Sequence, residues 1–132
     1  MPLTSERLQQ VPLFAELSKK ELSSVAGEMT ERTFTEGTAV TEEGSGGAGF
    51  FIIDSGEAEV FVGGESRRML GPGDHFGEIA LLSRQPRTAT IVATTDLHCY
   101  GLTSWQFRPL VEGNSELAWK LLVALAEMFS ER

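Results

Sequence analysis

The chain has 132 residues, 41% of them apolar, enough for the core of one domain and too few for two domains of ordinary size. With 11 Lys and Arg against 19 Asp and Glu, the net charge of -8 argues against nucleic acid as a direct partner, because phosphate backbones are held by basic clusters. No run approaches the roughly 18 apolar residues that a membrane span needs, and Met1-Pro2-Leu3-Thr4-Ser5 does not start a signal peptide, so a cytoplasmic protein with no membrane partner is expected.

Residues 3–30 read as an N-terminal helical pair. Leu8, Val11 and Leu13-Phe14 mark the first segment; Ser18 with Glu21 three residues later has the pattern of a capping box, and Leu22, Val25, Ala26 and Met29 then recur at helical spacing. Over residues 31–103 the texture changes to short β-branched and aromatic runs separated by turns, with 11 of the 14 glycines between positions 37 and 77. Strands are predicted at Glu31–Phe34, Ala39–Thr41, Phe50–Asp54, Glu57–Val62, Arg67–Leu70, Ala89–Ala93 and Leu97–Leu102, which implies an antiparallel sandwich or barrel. Ser55-Gly56 and Gly63-Gly64 are predicted hairpin turns, and Gly44–Gly49 a mobile loop. Residues 104–131 return to helix. One segment covers Ser104–Val111, and a second, capped by Ser115 or Asn114, runs toward Ser130 with a wide apolar face that includes Leu117, Leu121, Leu122 and Phe129. Trp119 on that helix is expected in the core or in a dimer contact rather than on a ligand. The chain ends almost where this helix does, which leaves no room within it for an effector domain.

The stretch from Phe76 to Thr90, Phe-Gly-Glu-Ile-Ala-Leu-Leu-Ser-Arg-Gln-Pro-Arg-Thr-Ala-Thr, carries the chemistry. A short apolar helix interrupting two strands would offer backbone N–H groups to a phosphate, and Gly77 would let a ligand approach the backbone. Arg87 follows Pro86, so its guanidinium can be aimed from a stiff turn to donate two parallel hydrogen bonds to phosphate oxygens. Glu78, nine residues earlier, only accepts when ionised and cannot itself hold a phosphate. A carboxylate beside a phosphate site suits the hydroxyls of a ribose. The plainer reading of an Arg and a Glu at this distance is a surface ion pair.

Phe76-Gly77-Glu78-Ile79-Ala80-Leu81-Leu82 followed by Pro86-Arg87-Thr88-Ala89-Thr90 resembles the phosphate-binding cassette of the cyclic-nucleotide-binding domain family, which includes catabolite activator protein and the regulatory subunits of cyclic-nucleotide-dependent kinases. The resemblance covers nearly the whole chain, with Gly37 and Gly56 at β-roll turns and Gly71-x-Gly73 before the cassette. It implies an α+β fold: an eight-stranded antiparallel β-roll of the jelly-roll type, an N-terminal helical bundle and C-terminal helices acting as a lid over the base, all within one domain spanning 1–132. It implies cyclic AMP as ligand, with cyclic GMP as an option raised by Thr88. It places the ribose 2′-hydroxyl on Glu78, the exocyclic phosphate oxygens on Arg87, the phosphate on the backbone N–H groups of Ala80 and Thr88, and the ribose against Gly77, with Ile79 and Ala89 completing the set. Arg84 is expected to be a solvated or gate-keeping charge.

The resemblance says what is bound and not what is then controlled. The expected function is a regulatory module that relays nucleotide binding at residues 76–90 through its last helix to an unidentified effector, with a homodimer through that helix as a weaker expectation. The alternative from the interaction class is a β-roll that has lost nucleotide binding and serves in dimerisation or docking. An enzyme is not expected. A metal-dependent barrel needs His and carboxylate ligands on neighbouring strands, and His75 and His98 are the only histidines. Cys99, the sole cysteine, excludes an internal disulfide; beside His98 on a strand it points to the opposite face, so the two form no nucleophile–base pair. No metal and no cofactor beyond the nucleotide ligand is predicted.

Overall fold

The computed structural model describes residues 5–42, 44, 49–82 and 89–130, which divide into two compact units. One comprises Met1–Met29 and Trp105–Arg132, the other Thr30–Ser104. Most of the loop predicted over Gly44–Gly49 lies outside the described residues.

The helical unit opens with α1 (Ser5–Gln9), a 3-10 turn (Pro12–Phe14) and α2 (Lys19–Glu28). The capping box is present. Glu21 N–H donates to Ser18 Oγ at 3.2 Å, and Ser18 N–H donates back to Glu21 Oε1 at 2.8 Å, satisfying two amides that the first turn leaves unpaired. The same unit holds α3 (Ser104–Glu112, from Trp105 onward) and α4 (Ser115–Ser130). Of the two predicted caps of α4, Asn114 is the one used, its Oδ1 accepting from Leu117 N–H at 3.0 Å. Leu8, Leu13, Phe14, Leu22, Phe107, Leu117 and Leu121 are buried, with the Phe14 and Phe107 rings 6.0 Å apart. Trp119 is not in the core: it is 65% exposed, because it sits on the face of α4 opposite the stripe marked by Leu117, Leu121 and Ala124. None of the described helices is long and apolar enough to cross a membrane.

Lys120 on α4 donates to Glu21 Oε1 at 2.8 Å, so one carboxylate oxygen both closes the cap of α2 and receives a cation from α4. That hydrogen bond from Lys120 holds the Glu21 carboxyl below its ordinary value against the opposing effect of burial, helped by the bonds with Ser18. Because the folded value is the lower one, the contribution to stability is complete above the ordinary carboxylate range and is lost as pH falls through it. Thermal melts from about pH 6 down to about pH 3.5 should therefore show a steeper loss for wild type than for Glu21→Gln, which has no carboxylate to protonate. Parallel curves would mean the pair adds nothing.

The second unit consists of two four-stranded antiparallel sheets. Its strands are β1 (Thr30–Phe34), β2 (Ala39–Thr41), β3 (Phe50–Ser55), β4 (Ala58–Val62), β5 (Glu65–Leu70), β6 (His75–Phe76), β7 (Thr90–Ala93) and β8 (Leu97–Leu102). They are ordered β1-β8-β3-β6 and β2-β7-β4-β5. The seven predicted strands all appear, two with the predicted ends and five with an end moved by one or two residues; β6 is additional. Phe51 and Ile53 from one sheet and Ala58, Val60, Ile91 and Ala93 from the other share a core with Phe76, Leu97 and Cys99. The alternation that places these side chains inward follows from the two-residue period of a strand.

Candidate functional site

The segment entering the cassette is tied down before it reaches the site. Gly71 N–H donates to Asp74 Oδ2 at 2.8 Å and Asp74 N–H to Gly71 O at 2.9 Å, closing the Gly-Pro-Gly-Asp turn. Gly73 N–H then donates to Ile53 O at 2.8 Å, and Ile53 N–H to Asp74 O at 2.9 Å, so the turn continues the β3 ladder and delivers His75 and Phe76 beside Ile52 and Phe51. Phe76 is buried and stacks on Phe51 with ring centroids 5.4 Å apart. Gly77 next adopts φ +85°, a conformation that a side chain would strain, and the chain leaves the sheet into a 3-10 turn over Glu78–Leu81. Leu81 is buried, so Glu78 is held between two apolar anchors, Phe76 and Leu81.

Glu78 is only 20% exposed at its side chain, and its Oε2 lies 3.2 Å from His75 Nδ1. Burial pushes its carboxyl upward, but the hydrogen bond from His75, the residue's own backbone amide and the electrostatic influence of His75 and Arg68 outweigh this, and the group lies below its ordinary value. It is ionised at neutral pH and can only accept hydrogen bonds. His75, which the sequence reading considered only as a metal ligand, is thus the partner that shapes this carboxylate. Its i,i+3 spacing from Glu78 was the one available signal, and it acquires meaning only once a 3-10 turn follows the strand.

The structure brings Gly77, Glu78 and Ala80 together on one short segment. The Ala80 N–H, expected in the phosphate cradle, here donates to Gly77 O at 2.9 Å, so an anion taking that amide would have to displace the bond closing the 3-10 turn. Ile79 lies within the turn, and only its backbone is described. Ala89 immediately precedes β7; it packs against the core of its unit, and its carbonyl accepts from Thr41 Oγ1 at 3.3 Å. Arg84, Arg87 and Thr88 lie outside the described residues.

Elsewhere, Cys99 is buried and its thiol is pushed up to about 12, mainly by that burial, with Asp54 adding and Arg32 opposing, so it is no nucleophile at neutral pH. His98 faces away from it, with Nδ1 3.0 Å from Asp54 Oδ2 and Nε2 3.2 Å from Glu31 Oε2. Among the described residues no group of His, Cys, Asp and Glu is arranged to hold a metal ion.

Residues 31–114, more than half of the chain, match the family model of the cyclic nucleotide-binding domain. The chain belongs to that family. Over 106 residues it is 39% identical to a cAMP-dependent protein kinase regulatory subunit of Colletotrichum orbiculare, an alignment covering 79% of this chain and 27% of that protein. The chain spans about a quarter of the length of the curated relatives it matches. Among solved structures it resembles the N-terminal domain of a transcriptional regulator from Streptomyces coelicolor, with a TM-score of 0.86 and 26% identity over 95% of this chain and 93% of that one. It also resembles the regulatory domain of Toxoplasma gondii PKA, co-crystallised with cAMP, with a TM-score of 0.71 and 34% identity over 80% of this chain and 42% of that one. The similarity therefore extends to relatives with regulatory roles in two kinds of system, a kinase and a transcriptional regulator. Two antiparallel sheets together with helices are the fold of a cyclic nucleotide-binding domain.

Proposed function

We propose that this cyclic nucleotide-binding domain is a sensor that takes cyclic AMP at the cassette 76–90, tolerates cyclic GMP, and passes its occupancy to an effector through α4. The observation carrying this reading is the ionised, largely buried Glu78 carboxylate beside Gly77 at the start of the cassette. An acceptor-only group cannot serve a phosphate, but it suits a ribose hydroxyl next to one, and Arg87 two residues before Ala89 supplies the matching cation in the sequence. Gly77, Ile79, Ala80, Thr88 and Ala89 are assigned the remaining contacts, with no metal or further cofactor required. The regulatory relatives and the cAMP-bound neighbour support the ligand class.

Calorimetry with cyclic AMP and cyclic GMP tests the binding reading. Heat release saturating at one nucleotide per chain is expected, with cyclic AMP favoured by about tenfold or less, since a single hydrogen bond to the base is worth roughly 0.5–1.5 kcal/mol. Absence of binding by either nucleotide would instead favour the docking reading, for which Trp119, Leu122 and Phe129 on α4, all more than half exposed, offer apolar side chains to a partner. The relay is tested separately. Gly113 and Asn114 join α3 to α4, and this junction is the hinge of the proposed relay. Hydrogen exchange across Ser115–Ser130 should change at saturating nucleotide; unchanged exchange alongside measurable binding would remove the relay and leave the sensor.

A further inference from the structure

The strongest unassigned feature is the histidine that precedes the cassette. His75 occupies the first position of the two-residue strand β6, paired with Ile52, and its ring lies 6.2 Å from that of Phe50. Backbone pairing and ring packing together leave it little freedom, and its side chain is only 24% exposed. Its Nδ1 is 3.2 Å from Glu78 Oε2, and an ionised carboxylate has no proton to offer, so the imidazole nitrogen must be the donor. Glu78 itself stands on a four-residue 3-10 turn that begins after a positive-φ glycine, a backbone with few bonds to fix a side chain. A carboxylate has about four lone-pair sites. One taken by His75 and one by its own amide leave acceptor capacity for a ligand.

We propose that His75 is a positioning residue for nucleotide recognition: its Nδ1–H fixes the Glu78 carboxylate in the orientation from which it accepts the ribose hydroxyl. The proposal rests on the reading of Glu78 as the ribose acceptor. It makes specificity for a ribonucleotide over its 2′-deoxy counterpart depend on a residue that touches neither sugar nor phosphate. The β6–β3 pairing is what makes a remote donor effective, because it holds the backbone from which the ring reaches the carboxylate.

The test is calorimetry of the full chain with cyclic AMP and 2′-deoxy cyclic AMP, using wild type, His75→Phe, His75→Asn and Glu78→Ala. Phenylalanine keeps an aromatic ring beside Phe50 but removes the donor; asparagine keeps a donor near the Nδ1 position and removes the ring. His75→Phe should weaken cyclic AMP by about fivefold to tenfold, the loss of one oriented hydrogen bond, and alter 2′-deoxy cyclic AMP by less than about twofold. His75→Asn should return cyclic AMP affinity to within about threefold of wild type. Equal losses for both ligands, or equal losses in both variants, would show that His75 contributes packing alone and overturn the proposal. Should His75→Phe fail to fold, the asparagine variant and the imidazole nitrogen shifts of the wild type decide. An Nδ1 that carries the proton in the ligand-free protein and gives up that tautomer preference in Glu78→Ala, which removes the acceptor, supports the contact, and an Nδ1 unaffected by that change overturns it. If wild type and Glu78→Ala discriminate equally between the two nucleotides, Glu78 is not the ribose acceptor. The proposal then falls with that reading, an outcome distinct from failure of the His75 variants alone.

Discussion

Arg87→Ala should weaken cyclic AMP binding by about 10²-fold or more, read by calorimetry or by competition with a fluorescent analogue. The cyclic phosphate carries a full negative charge into a protein of net charge -8, so general electrostatics oppose binding and a local cation has to overcome them. A guanidinium donating two parallel bonds to phosphate oxygens supplies charge-assisted contacts of roughly 1.5–3 kcal/mol each, and deletion of both accounts for the expected loss. Arg87→Lys should recover little, because one ammonium cannot reproduce the planar fork. Arg84→Ala is the control, with the same charge removed three residues earlier in the chain. A comparable loss there would mean that diffuse positive potential attracts the anion and that Arg87 is not specifically aimed at it.

A large effect on stability is expected at Gly56, between β3 and β4. Its φ of +93° is a conformation that a residue with a Cβ adopts only under strain, and a Cβ built there would overlap the carbonyl oxygen of Asp96 and lie 3.0 Å from Leu97 Cα. Neither obstacle is the flexible end of a side chain. Asp96 also accepts from the Glu36 amide at 3.0 Å, and Thr95 Oγ1 accepts from the Glu57 amide at 3.0 Å, so the opposing turn is held in place from two sides. Gly56→Ala should therefore cost about 3–5 kcal/mol, the sum of strained backbone and displaced ladder, and lower the melting temperature by about 10–20 °C. Gly64 has φ +83° with open space around its missing Cβ, so Gly64→Ala carries the backbone strain without the collision. Its cost should stay near 1 kcal/mol, as for a lone strained residue. Equal melting temperatures for the two variants would show that the turn yields and that close packing at Gly56 is unimportant.

Each of these experiments depends on a feature read at a different level. The cap of α2 was legible because Ser18 and Glu21 act within one turn, where spacing alone brings them together. The strands were legible as β-branched and aromatic runs between glycines, and β8 and β2 have the predicted ends. The cassette was legible through resemblance, Phe76-Gly77-Glu78 followed by Pro86-Arg87-Thr88-Ala89-Thr90 matching the family motif.

What the sequence determined by itself was local: caps, turns and the alternation that fills the core between two sheets. What only the tertiary structure decided involved partners far apart in the chain. A strand of two residues has no periodicity to detect, and β6 exists because β3 is there to pair with it. Glu21 and Lys120 are 99 positions apart, so no helical or strand spacing announces their ion pair. Trp119 is exposed because Leu117, Leu121 and Ala124 already fill the buried stripe of α4, a choice of helix face that a nearly continuous apolar pattern leaves open. The contact of His75 with Glu78 needed both levels. Its spacing is local, but the β6 pairing and the positive φ of Gly77 turn the imidazole and the carboxylate toward each other.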